Sequence, residues 1–184
     1  MSVARLREKK GLTYAIEAVA RLRESGVRVC YEIAGDGPLR ASLERQVADA
    51  GLGDAVVLRG ALPQAEVRAL MDRSHLLLAP SVVASDGDEE GLPSVIKEAL
   101  AVGLPVVATR HSGIPEVVIP WETGMLAPER DAEALERAIR DLLAVRDQWG
   151  AYAARGRALV ERDYDIEGLN DRLVVLLSQM RRVP

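Results

Sequence analysis

The 184-residue sequence predicts an α/β domain: a Rossmann-like parallel sheet flanked by helices, with a helical C-terminal tail. Three observations predict it. Short apolar runs alternate with helical patterns as far as residue 127, the order that builds a parallel sheet. Turns such as Gly35-Asp36-Gly37-Pro38 separate a strand-like run from a helix-like one. From Asp131 onward the apolar spacing is helical throughout.

The elements follow in order. Residues 2–6 read as a strand. Thr13 caps a helix whose core face carries Ile16, Val19, Ala20 and Leu22, and Gly26 stops it. Residues 29–34 form a strongly apolar strand. Pro38 suits the first turn of the next helix, with Leu39, Leu43, Val47 and Ala50 as its stripe. A strand at 55–58 ends near Gly60, and Gln64–Arg73 is a short helix. A strand at 75–79 leads into the polar loop 81–89, then come a helix at 92–102 and strands at 105–108 and 125–127. Helices at 149–160 and Ile166–Met180 close the tail. All 184 residues thus make one domain, with a sheet unit over about 1–127 and a tail over about 131–182. The first strand starts almost at Met1, so either the domain begins here or the chain is the C-terminal part of something larger.

Composition excludes several classes. Apolar residues make up 48% and charged residues 28%, ordinary for a globular domain. The net charge of −4 argues against a nucleic-acid surface. No apolar run approaches the roughly 18 residues of a membrane span, and no apolar leader follows Met1, so a cytoplasmic protein is expected. Cys30, in an apolar run, reads as a buried free thiol; nothing suggests a disulfide framework or a zinc site. His75 reads as structural and Trp121 as packed in a loop.

The chemistry concentrates at Glu90-Gly91-Leu92-Pro93-Ser94-Val95-Ile96-Lys97-Glu98. Gly91 lets the backbone approach a ligand, and Pro93 suits a helix start. The free amides and positive dipole end of that helix form an anion site, at the strand ends where open α/β sheets bind ligands. Helical side chains lean toward the N-terminus, so Glu98 leans over Ser94 toward this mouth. Its carboxylate can accept two hydrogen bonds from a ribose diol, and Glu90 points into the same mouth from the loop. The alternative is that both are surface acids favoured by the helix dipole. Arg5 and Lys10, near the carboxyl end of the first strand, either clamp a diphosphate or belong to a solvated basic loop with Lys9.

These segments resemble the C-terminal domain of glycosyltransferase family 4, the large retaining GT-B family. The resemblance runs through Ala-Arg-Leu-Arg-Glu-Lys-Lys-Gly at 4–11, Ile-Ala-Gly-Asp-Gly-Pro-Leu at 33–39, Val-Leu-Arg-Gly at 57–60 and Ala-Pro-Ser at 79–81. It continues through Glu-Gly-Leu-Pro-Ser-Val-Ile-Lys-Glu-Ala-Leu-Ala at 90–101, Gly-Leu-Pro-Val-Val-Ala-Thr at 103–109, Gly-Ile-Pro-Glu at 113–116 and Gly-Met-Leu-Ala-Pro at 124–128. Eight weak motifs in one order make a strong match. Within the family, residues 85–93 and 109–116 look most like exopolysaccharide glycosyltransferases of the colanic-acid type. Ala4 stands where the family often has Gly.

The resemblance implies roles. Arg5 and Lys10 meet the donor diphosphate. Glu98 meets the ribose and Glu90 lies near the donor sugar. Amides around Gly91, Leu92, Ser94 and Val95 hold phosphate, Ala61 and Leu62 meet the base, and Gly35 and Gly37 permit close approach to the donor. His111 lies in the donor cleft by the same match. No metal or other cofactor is implied, and Asp86-Gly87-Asp88 reads as a flexible acidic loop rather than a metal motif. The donor is a nucleotide-diphosphate sugar. An acceptor sugar or glycolipid would be held by an N-terminal domain absent from these residues, with peripheral membrane association of the full-length protein. The last helix commonly crosses to such a domain; it either exposes Leu169, Leu173, Leu176, Leu177 and Met180 or packs them on the sheet. Alternatives are a non-catalytic nucleotide-sugar-binding module, another GT-B enzyme such as a sugar-nucleotide epimerase or a phosphorylase, and a general interaction domain.

Overall fold

The structure, a computed structural model, describes residues 1–180. Strands β1 (Ser2–Val3), β2 (Tyr31–Ala34) and β3 (Val56–Gly60) form one parallel sheet in the order β1-β2-β3. Strands β4 (Leu77–Ala79), β5 (Val106–Thr109) and β6 (Gly124–Ala127) form a second, in the order β4-β5-β6. The two abut along β1 and β4. There the Leu78 N–H donates to the Met1 carbonyl at 2.8 Å, and the Ser2 hydroxyl donates to the Leu78 carbonyl at 2.6 Å. Across this seam the order is 3-2-1-4-5-6, the doubly wound arrangement. The single expected sheet is therefore two short ones, because β1 and β4 offer so few residues to pair.

Helices cover both faces. On one lie α1 (Leu12–Glu24), α2 (Arg40–Asp49) and α5 (Ala132–Ala144), packed on Ile33, Leu78 and Val107. On the other lie α3 (Gln64–Arg73), α4 (Ser94–Val102) and α6 (Trp149–Asp163), packed on Leu77, Ala79, Val106 and Ala108. Successive strand residues thus serve opposite cores, as the pleat requires. The Asp131 carboxylate caps α5 by accepting from the Ala134 N–H at 2.8 Å. The last helix, α7 (Ile166–Met180), packs on α6 and leaves Leu173, Val174, Val175, Leu176 and Leu177 each more than half exposed. It therefore does not pack on the sheet. The Met180 side chain and the predicted tail at 181–182 lie outside the described residues.

Several expectations change. Gly11, at φ 61°, precedes α1 and caps it, while Thr13 is exposed inside the first turn. Helix α2 begins at Arg40, after Pro38, and ends before Ala50, which is exposed. Helix α4 begins at Ser94, with Pro93 extended just before it. Cys30 is exposed, not buried. The register places Ser2 opposite Ile33, so residues 29–30 lie beyond the amino end of β1 and strand β2 starts at Tyr31. His75 precedes β4, is exposed and lies 6.2 Å from the Trp149 ring. Trp121 is 53% exposed at φ 66° rather than packed.

Close backbone contact sets the loops above the strands. A Cβ on Gly11 would fall 1.8 Å from the Pro80 carbonyl oxygen. Gly26 has a similar positive φ, 84°, with open space where its Cβ would be. The two separate conformational strain from collision. Gly26→Ala is expected to cost about 1 kcal/mol, the left-handed penalty alone. Gly11→Ala is expected to cost more than about 3 kcal/mol, because backbone must move. Denaturant unfolding of the two variants beside the parent chain measures both.

Candidate functional site

The carboxyl ends of β1, β2 and β3 open into a cleft of about 470 Å³ lined by Ala4, Arg5, Gly35, Asp36, Ala61 and Leu62. A recess of about 10 Å³, room for roughly one water, adjoins it at the seam between Ala4, Lys10, Ser81, Pro93 and Val95. Another cavity, about 390 Å³, opens at the amino ends of the strands beside Cys30, Glu32, Arg73 and His75. The carboxyl-end cleft is the candidate site, since doubly wound sheets hold ligands there, at the reversal of strand order.

The chain reaches this mouth for local reasons. After β1 a 3₁₀ turn, Glu8–Lys10, ends at the left-handed Gly11 and presents Lys9 and Lys10. Gly35, at φ 143°, would place a Cβ 1.8 Å from the Ala4 oxygen, and a Cβ on Gly37 would meet the Leu6 main chain. Both glycines therefore let the loop after β2 close on the loop after β1; the close approach they permit is of backbone to backbone. The Leu6 N–H donates to the Asp36 carbonyl at 2.9 Å to complete it.

Charge converges on Glu90. Its carboxylate lies 3.1 Å from the Lys9 ammonium and 2.9 Å from that of Lys10, all three side chains about four-fifths buried. Lys9 also holds Asp88 at 2.9 Å. Burial alone would raise the Glu90 carboxyl pKa; the Lys10 and Lys9 ammonium groups outweigh it and hold the group below its usual value. The Asp88 and Glu90 carboxylates raise that of Lys9. Arg5 is exposed and makes no side-chain bond or ion pair among the described residues. Glu98 is likewise exposed and unpaired on α4, about one turn from its start. The N–H groups of Leu92, Ser94 and Val95 find no acceptor among the described residues. Gly91 and Ser94 are exposed beside them.

His111 is buried at 1% exposure, beneath the Glu90 loop rather than open to the cleft. Its Nδ1 is 2.6 Å from Glu129 Oε1, and its Nε2 is 3.2 Å from the Glu90 nitrogen and 3.1 Å from the Glu90 oxygen. Glu129 Oε2 accepts from the Val83 N–H at 2.9 Å. Nothing in the sequence singles out Glu129. The loop expected to be flexible is tied at several points: Val82 N–H to the Lys9 carbonyl, Ser85 to the Glu8 carboxylate, and Asp88 to Lys9. Among the described residues no group of three or more His, Cys, Asp or Glu is placed to hold a metal ion. No helix among them is long and apolar enough to cross a membrane.

Residues 1–157 match the family described as "Glycosyl transferases group 1". The chain belongs to this family. It is 42% identical over 181 residues to the putative colanic acid biosynthesis glycosyltransferase WcaL of Escherichia coli K12, covering 98% of this chain and 45% of that protein. It is 44% identical over 180 residues to the amylovoran biosynthesis glycosyltransferase AmsK of Erwinia amylovora, covering 98% of this chain and 44% of that one. This group 1 chain therefore spans less than half the length of these relatives. Its fold matches the crystal structure of Anabaena Alr3699/HepE in complex with UDP at a TM-score of 0.83 and 24% identity, covering 97% of this chain and 48% of that one. The Rossmann-like fold is the one found in GT-B glycosyltransferases.

The Lys9–Glu90–Lys10 cluster has a pH signature. A carboxylate held below its usual pKa of 4.5 adds stability that is full above that value and is lost as pH falls through the folded value. Glu90→Gln is expected to lower stability by about 1 kcal/mol at neutral pH. Its gap to the parent chain closes as pH falls below 4.5. Thermal melts across that range check both.

Proposed function

We propose that this chain is the nucleotide-sugar-binding part of a retaining glycosyltransferase that works without a metal, in polysaccharide or glycolipid biosynthesis. One arrangement carries the reading: the start of α4, with three N–H groups unpaired among the described residues and the exposed Glu98 one turn on, shares a recess with Lys10, and Arg5 lines the cleft that adjoins that recess. WcaL and AmsK bear the names of exopolysaccharide glycosyltransferases, and the Alr3699/HepE structure holds UDP; both support it.

In this reading the diphosphate lies at the start of α4, against the amides of Leu92, Ser94 and Val95, and the dipole adds to their attraction. Arg5 and Lys10 neutralise the charge that grows on the leaving diphosphate as the sugar departs, which is electrostatic catalysis. Lys10, bonded to Glu90 in the structure, exchanges part of that contact for phosphate. Glu98 accepts hydrogen bonds from the ribose hydroxyls, and the main chain of Ala61 and Leu62 borders the base. Glu90 stands on the sugar side. The acceptor hydroxyl attacks on the face the diphosphate leaves. A second domain holds the acceptor, and the full-length protein works in the cytoplasm at the membrane surface.

Calorimetry with UDP, GDP, ADP and dTDP tests the site. One of them is expected to bind, and Glu98→Ala to weaken it at least about 10-fold, the loss of one or two charge-assisted hydrogen bonds. Melting should stay unchanged, since Glu98 is exposed and has no ion-pair or hydrogen-bond partner among the described residues. Arg5→Ala should weaken binding and flatten its salt dependence. Unchanged affinity of Glu98→Ala for every nucleotide removes the ribose assignment.

A further inference from the structure

Glu90 is gripped from two sides. Lys9 and Lys10 hold its carboxylate, and His111 engages its main chain. If Lys10 turns to a bound diphosphate, the carboxylate loses a partner, and Lys9 and the main-chain grip are left to hold it.

The buried couple is built for that grip. The Glu129 carboxylate only accepts, so the proton of the 2.6 Å contact lies on His111 Nδ1. In the neutral ring Nε2 is then an acceptor, facing the Glu90 N–H at 3.2 Å. In the protonated ring Nε2–H donates instead to the Glu90 carbonyl at 3.1 Å. Either form holds the main chain of the same residue, by its N–H or by its carbonyl. Glu129 is fixed in turn by the Val83 N–H. The loop that carries His111 also supports the neighbouring residue: the Gly113 N–H donates to the Gly91 carbonyl at 3.2 Å. The backbone turns sharply beside both members of the couple, at Ser112 (φ 44°) and Arg130 (φ 57°). These are left-handed conformations that non-glycine residues adopt only when the surroundings impose them.

We infer that His111, oriented by Glu129, is a positioning residue that sets the Glu90 carboxylate against the sugar of the bound donor. The inference rests on the donor-site reading above. It assigns His111 no contact with the donor, and it separates affinity for the sugar from affinity for the nucleotide.

The test is a double-mutant cycle on binding, with UDP against UDP-glucose and GDP against GDP-mannose as probes. His111→Ala is expected to weaken binding of the nucleotide sugar about 10-fold, as when a buried hydrogen-bond partner is removed. Its affinity for the matching nucleoside diphosphate stays within about twofold. Glu90→Ala gives the same pattern, and the double variant is no weaker than Glu90→Ala alone, because His111 acts through Glu90. His111→Gln, which returns a polar group toward the Glu90 peptide, recovers most of the loss. Should His111→Ala not fold, Glu129→Gln, which keeps the shape of the couple, is expected to show the same selective loss at about three- to fivefold. Equal loss for nucleotide and nucleotide sugar, or losses that multiply in the double variant, overturn the positioning role and leave the donor site standing. If the parent chain binds no nucleotide, or Glu90→Ala changes nothing, the donor-site reading itself falls, and the inference with it.

Discussion

The mouth of this domain depends on main chain touching main chain. Gly11 rests on the Pro80 carbonyl, and Gly35 on that of Ala4, at distances a Cβ would forbid. These contacts draw the turn after β1 and the loops after β2 and β4 toward one point. Lys9 and Lys10 ride on the first of those loops and Glu90 on the last. The contact at Gly11 works with the bonds from Val82 to Lys9 and from Ser85 to Glu8 to fix the separation of the opposed charges. Close backbone packing therefore helps to set where the charges of the mouth stand.

Its balance of charge is asymmetric. Glu90 is largely buried and already satisfied by two ammonium groups. Among the described residues, Glu98 and Arg5 are exposed and unpaired. A buried, fully paired group is costly to move, whereas an exposed, unpaired one gives up little beyond water when it meets a ligand. The first suits a fixed reference point and the second a group that engages and releases.

The strongly patterned parts were legible. Gln64–Arg73 is a helix as read, because Pro63 sets its start and Val67, Leu70 and Met71 supply a buried stripe. Strand lengths were not, because a strand extends only as far as its neighbour. Residues 29–30 are apolar yet have no partner beside the short β1, and that pairing is a tertiary fact. The capping role of Gly11 was hidden for a similar reason, since its turn is fixed by Pro80, about seventy residues away in the chain. At the site, Glu90, Glu98, Arg5 and Lys10 stood out as acids and bases beside a helix start. The grip of Lys9 on both Asp88 and Glu90 needed the folded loop. Glu129 left no local signal, because its meaning lies in a histidine on another loop. His111 itself was visible, but its direction, beneath Glu90, depends on the turn at Ser112.

The seam between β1 and β4 has a thermodynamic corollary. Two bonds between Met1 and the β4 segment, from the Leu78 N–H to the Met1 carbonyl and from the Met1 ammonium to the Leu76 carbonyl, and one hydroxyl bond from Ser2 join the two small sheets there. The groups proposed to hold the donor are divided between the halves: Arg5, Ala61 and Leu62 follow strands of one, while Ser94 and Glu98 lie between strands of the other. A molecule held by both sets is a reversible cross-link over the seam. Such a molecule, bound to the folded state alone, raises the melting point with the logarithm of its concentration.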